Sequence, residues 1–150
     1  MKTYPHEYAV CAAGGPEGDL ELRGDRLPVL RSAAPAEFGG PGDRWSPETL
    51  LVAAVADCFV LTFRAIARTL ELPWTSLRCD VSGTLDRLER TPEFTRFTIG
   101  ARLVLPAGAS EKLGRRALEK TERSCLITSS LKATTHLEAI VETLHASQVA

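Results

Sequence analysis

Apolar and polar residues alternate most cleanly over residues 76–86. Leu77, Cys79, Val81, Gly83 and Leu85 fall on one side, and Arg78, Asp80, Ser82, Thr84 and Asp86 on the other. A period of two is the mark of a strand with one wet face. A polar turn over 87–93 follows, and Phe97, Ile99, Ala101, Leu103 and Leu105 then repeat the alternation. The two runs predict an antiparallel pair. Residues 50–63 read differently. Leu50-Leu51-Val52-Ala53-Ala54-Val55-Ala56-Asp57-Cys58-Phe59-Val60-Leu61 is apolar on nearly every side, which predicts a long helix buried on most faces. Ser46 suits the N-cap, Pro47 the first helical position, and Pro73 stops the helix near Glu71. Arg64 and Arg68 mark its polar end and complement the helix dipole.

The flanking segments are less regular. Residues 4–12 predict a first strand with Tyr4, His6, Tyr8 and Val10 on one face. Ala13-Gly14-Gly15-Pro16-Glu17-Gly18 is a turn, Leu20 and Leu22 begin a new alternation, and Gly24-Asp25 turns again. Residues 27–30 predict a third strand, which Pro28 places at a sheet edge. Residues 33–44 are rich in Ala, Pro and Gly and read as a loop. Ser110 opens a second helix with Leu113, Ala117, Leu118 and Thr121 inward. Residues 133–144 satisfy both periods, so periodicity does not decide between strand and helix there. The order of elements predicts an α+β fold, antiparallel sheet against helices, and the 150 residues fit a single domain over 1–150.

Charge narrows the function. A net charge of −1, with fourteen arginines among eighteen basic residues scattered along the chain, makes no case for nucleic acid or an anionic membrane. Met1-Lys2-Thr3-Tyr4-Pro5-His6 lacks a secretory pattern, and the apolar stretch at 50–63 is short for a bilayer and interrupted by Asp57. These features predict a cytoplasmic protein. In that compartment thiols stay reduced, which favours free, catalytic or redox-active cysteines over two permanent disulfides.

Cys58 sits within the apolar helix, and Cys125 follows the second helix in Glu122-Arg123-Ser124-Cys125-Leu126-Ile127. Two thiols in such different settings, far apart in sequence, point to a dithiol redox pair rather than a staple. Cys79, on the inward side of a strand, and Cys11 read as small apolar fillers. Burial and the neighbouring Asp57 both push the Cys58 thiol up, so a thiolate there calls for a cation. Arginine suits, being always charged and open to a bidentate carboxylate. Glu48 is a candidate for that carboxylate. It lies roughly 80° around the helix and ~15 Å along it from Cys58, so a long arginine would have to bridge part of the gap. The plainer role for Glu48 is a first-turn carboxylate favouring the helix N-terminus. Metal binding has little support, because Cys11, Cys58, Cys79, Cys125, His6, His136 and His145 fall into no ligand spacing such as CxxC or HExxH. No cofactor motif is present, and Gly14-Gly15, Gly39-Gly40 and Gly42 read as turns.

The run Phe38-Gly39-Gly40-Pro41-Gly42-Asp43-Arg44-Trp45-Ser46-Pro47-Glu48-Thr49-Leu50-Leu51, leading to Ala54-Val55-Ala56-Asp57-Cys58-Phe59, resembles the OsmC/Ohr family. Ser124-Cys125-Leu126-Ile127-Thr128-Ser129-Ser130-Leu131 resembles that family's second cysteine motif. The resemblance implies antiparallel sheets packed around a long buried central helix in an intertwined homodimer, with active sites at the subunit interface. It implies a thiol-dependent peroxidase for organic hydroperoxides. Cys58 would be the peroxidatic thiol, Cys125 the resolving thiol and Glu48 the carboxylate that holds an arginine. An external dithiol or a lipoylated protein would serve as reductant. The positions where the two branches of the family carry the arginine hold Pro16 and Glu37-Phe38 here, so Arg44 and Arg31 become the candidates, with Arg26 behind them. The chain is thus identified as a divergent member. Val55, Phe59 and Leu126 would favour alkyl or lipid peroxides. The alternative is a dimeric small-molecule-binding or redox-sensing module that keeps the apolar pocket with little turnover.

Overall fold

The computed structural model describes residues 3–148. The chain divides into two compact units, Met1–Leu51 and Val52–Ala150. In the first, β1 (Cys11–Ala13), β2 (Leu20–Arg23) and β3 (Leu30–Ser32) form an antiparallel sheet in that order. The strand expected over 4–12 shrinks to its last residues, and Tyr8 is 91% exposed. Alternation becomes a strand only where a partner lies alongside. The partner here is four residues long and pairs from Cys11↔Arg23 to Ala13↔Glu21. The third strand also starts later than its alternation suggested. The Leu27 amide closes a turn onto the Gly24 carbonyl at 3.2 Å, and Pro28 has no amide to give to a ladder. β3 does lie at an edge.

Helix α1 covers Pro47–Thr69. Its start is a reciprocal cap: the Thr49 amide donates to Ser46 Oγ at 3.2 Å, and the Ser46 amide donates to Thr49 Oγ1 at 2.8 Å. Its end is closed by the Leu72 amide on the Ala67 carbonyl at 2.9 Å, with Glu71 in the left-handed region, just before Pro73.

In the second unit β4 (Ser76–Leu88), β5 (Thr91–Leu105) and β6 (Thr134–Thr143) form a sheet with β5 central. Phe97, Ile99, Ala101, Leu103 and Leu105 are all buried, as their alternation predicted. Residues 134–143 are strand, in continuous register with β5 from Arg96↔Thr134 to Leu105↔Thr143. That pairing is parallel, which corrects the expectation of a wholly antiparallel sheet. The connection from β5 to β6 runs through α2 (Glu111–Ser124) and the single turn α3 (Leu126–Ser129), and such a crossover returns the chain in the same direction. α2 begins where Ser110 Oγ accepts the Leu113 amide at 3.2 Å. It packs closely because Gly114 has no side chain: a Cβ there would come within 3.1–3.2 Å of Leu105, Leu103 and Val141.

Within one copy of the chain, α1 is covered along one face only. Its buried residues are Val55, Phe59, Phe63, Ile66 and Ala67, one stripe, while Leu61 is 50% exposed. A single sheet face covers only one side of a helix, and residue composition does not say what else is available to cover the rest. By length and composition alone, α1 is also long and apolar enough to cross a membrane, with a mean hydropathy of 2.0 over an 18-residue window. Its contact with β4 is tight at Gly83, where a Cβ would meet Phe94 and Phe97 at 2.9 Å and Val52 at 3.0 Å. Gly83→Ala is therefore expected to destabilise the fold by about 1–3 kcal/mol through overpacking, partly offset by ~0.4–1 kcal/mol of reduced chain entropy. A urea midpoint equal to that of the parent protein would show that the rings move aside without cost.

Candidate active site

Cys58 is half-buried on α1, with Thr62 one turn further along. Cys125 is buried at the junction where α2 ends and α3 begins. Its extended backbone breaks the helix, and its carbonyl collects three donors: the Ser129 amide at 3.1 Å, Ser129 Oγ at 2.8 Å and Thr128 Oγ1 at 3.2 Å. These bonds fix the turn that follows, whose Leu126 and Ile127 amides act on the Cys58 sulfur. The two thiols expected to form a redox pair lie near enough for each to affect the acidity of the other, and both are free thiols.

Their acidities diverge. Burial is the largest influence on Cys58 and pushes its thiol up, but the Ile127 amide, the Cys125 thiol, the Thr62 hydroxyl and the Leu126 amide together hold it below the ordinary value. Burial also pushes up the Cys125 thiol. The amide and hydroxyl of Thr128 oppose this, and the neighbouring Cys58 reinforces it, leaving Cys125 above its ordinary value. The pair is therefore polarised, with Cys58 the more acidic thiol and Cys125 the less acidic one. Cys79, half-buried on β4, is pushed up to about 11 by burial, by Asp80 and by Cys125. Cys11 stands on a fully exposed strand, so the reading of it as an apolar filler is corrected. Among the apolar neighbours expected around the site, Val55 and Phe59 are buried, whereas Leu126 is 70% exposed.

The charged residues arrange themselves differently from the simplest expectation. Glu48 has a buried Oε2 with no hydrogen-bond partner among the described residues. Arg44 is engaged elsewhere: its Nε lies 2.9 Å from Asp19 and its Nη1 3.1 Å from Asp43, and both carboxylates raise its pKa. Arg31 is 67% exposed, with Asp19 at 4.0 Å. Arg26 pairs with Asp25 at 3.2 Å. Arg31 and Arg44 line one cavity of about 360 Å³ with Asp43, Trp45 and Thr49. Sequence reasoning overlooked Thr62, although the spacing of four from Cys58 along a helix was a usable signal.

The OsmC-like protein family matches residues 40–139. The uncharacterised protein YmaD of Bacillus subtilis is 24% identical over 113 residues, which is 73% of this chain and 75% of YmaD. An OsmC-like protein of unknown function from Vibrio cholerae shares the fold with a TM-score of 0.80 at 17% identity, over 91% of this chain and 100% of that one. An organic hydroperoxide resistance protein OsmC from Legionella pneumophila does so with a TM-score of 0.73 at 21% identity, over 93% and 99% of the two chains. The matched segment contains Glu48 and both polarised thiols, and on that ground the chain belongs to the OsmC-like protein family.

Proposed function

We propose that this protein is a thiol-dependent peroxidase that reduces organic hydroperoxides to alcohols. The observation that carries the reading is the mutual influence of Cys58 and Cys125, which leaves Cys58 the more acidic thiol. A thiolate is the nucleophile that peroxide chemistry needs, and a protonated neighbour is the thiol that captures its product. Cys58 sulfur attacks the distal peroxide oxygen, the O–O bond breaks, and the alkoxide leaves and takes a proton to become the alcohol. The Cys58 sulfenic acid then condenses with the Cys125 thiol, forming a disulfide and releasing water. An external dithiol, free or on a lipoylated protein, exchanges with that disulfide, restores both thiols and is itself oxidised. The exposed Leu126 next to Cys125 suits a substrate with an alkyl or lipid chain. The family's likeness to hydroperoxide resistance proteins supports the same redox role. The protein acts in this reading as a cytoplasmic homodimer, in which a second copy covers the apolar side of α1 that includes Leu61.

A second reading has its own observation. Arg44 is held by Asp19 and Asp43, and no cation is among the groups that lower the Cys58 pKa. A redox-sensing or small-molecule-binding module with little turnover would share these features. Purified protein given cumene hydroperoxide and dithiothreitol decides between them. The peroxidase reading expects many turnovers per protein and a clear preference over hydrogen peroxide. Oxidation that stops after one equivalent, with excess dithiothreitol present, would favour the sensing module.

A further inference from the structure

We propose that Thr62 is a catalytic hydroxyl, donating a hydrogen bond to the Cys58 thiolate and holding that sulfur in its reactive form. The inference rests on Cys58 being the attacking thiol. Threonines inside a helix ordinarily return their hydroxyl to the carbonyl four residues back, where it is spent on the backbone. Two threonines of this chain do so: Thr69 Oγ1 donates to the Ala65 carbonyl at 3.1 Å, and Thr121 Oγ1 to the Ala117 carbonyl at 2.8 Å. Thr62 is placed differently, with its Oγ1 3.7 Å from Cys58 Sγ on the same face of α1. While Cys58 carries its proton, either group can be the donor. Once that proton is gone only the hydroxyl can donate, so the contact is worth more to the thiolate than to the thiol.

The remaining groups around the sulfur leave this task to neutral donors. The amides of Ile127 and Leu126 reach it from the turn after Cys125, and the Cys125 thiol faces it. Cys125 in turn raises the pKa of Cys79, while Asp57, the chain neighbour of Cys58, is solvent-exposed. Among the described residues, the groups that lower the Cys58 pKa are neutral donors: the Thr62 hydroxyl, the two amides and the Cys125 thiol.

Thr62→Val removes the donor and keeps the branched shape, and Thr62→Ser keeps the donor and loses a methyl. Both are compared with the parent protein in the absence of peroxide, by thiolate absorbance against pH and by iodoacetamide labelling of Cys58. Thr62→Val is expected to raise the Cys58 titration by about one pH unit. Labelling below that titration should slow about three- to fourfold, because the greater nucleophilicity of a more basic thiolate offsets part of a tenfold loss in its abundance. Thr62→Ser should match the parent in both. If Thr62→Val does not fold, Thr62→Ala against Thr62→Ser makes the same comparison. A Thr62→Val titration that coincides with the parent, or a Thr62→Ser titration displaced as far as that of Thr62→Val, would overturn the proposal. Neither readout uses peroxide. A parent protein without hydroperoxide turnover would thus sink the peroxidase reading, while a shifted titration in Thr62→Val would still uphold the hydroxyl's role.

Discussion

Cys58→Ser is expected to abolish hydroperoxide turnover, whereas Cys125→Ser should still reduce one equivalent of peroxide per subunit. The asymmetry follows from the polarisation of the pair. Cys58 is the thiol held low, by amides and a hydroxyl that favour its charged form, and it alone attacks oxygen. A serine hydroxyl at that position has no accessible anion near neutral pH, so no residual chemical rate is expected. Cys125 acts one step later, when its thiol displaces water from the sulfenic acid. Without it, Cys58 sulfenic acid accumulates, and further peroxide drives it to sulfinic acid unless an added thiol intervenes. Cys125 also contributes to the low Cys58 pKa through its thiol, so Cys125→Ser should carry out its single oxidation somewhat more slowly than the parent protein. Stopped-flow measurement of peroxide loss, with mass spectrometry of residue 58, separates the two steps. Equal loss of the first oxidation in both variants would void the assignment of roles.

Much of the second unit was legible in the sequence because its strands are amphipathic. The alternation on β5 names its five buried residues, and the inward face of α2 is confirmed by buried Ala117, Leu118 and Thr121. The direction of β6 was not legible from alternation, which is the same for parallel and antiparallel pairing. The sign was the helix between β5 and β6, since a crossover of that length brings the chain back parallel. Nor could apolar content show how much of α1 is covered, because burial depends on what packs against the helix. At the site, the second cysteine motif was readable, but the contact between Cys58 and Cys125 depends on the break in backbone direction at Cys125. The arginines were least legible. Arg44 is captured by Asp19, twenty-five residues away in sequence, and no local pattern marks that pairing.

One equivalent of an organic hydroperoxide is expected to join Cys58 to Cys125 and to leave Cys11 and Cys79 as thiols. Cys58 and Cys125 already interact, so the disulfide needs only local adjustment to the roughly 4.4–6.8 Å between Cα atoms that such bonds require. Cys79 is the competitor, because Cys125 lies near enough to raise its pKa. Its thiol is pushed up to about 11, so at pH 7 only about one molecule in ten thousand carries the thiolate that exchange needs. Cys11 is exposed and lies on β1, and a small excess of oxidant is expected to leave it unlinked within the chain. Trypsin makes the test direct. Cleavage after lysine and arginine places Cys11 in peptide 3–23, Cys58 in 45–64, Cys79 in 79–87 and Cys125 in 124–132, so each bridge has its own mass. Free thiols are blocked at low pH before digestion, and the map is read without reduction. The expected product is peptide 45–64 linked to 124–132, with the other two blocked. A dominant link between 45–64 and 79–87 would make Cys79 the resolving thiol, and one between 79–87 and 124–132 would show Cys79 displacing Cys58 from Cys125 by exchange. Two unlinked sulfenic acids at Cys58 and Cys125 would end the two-thiol mechanism and leave the sensing module as the better account.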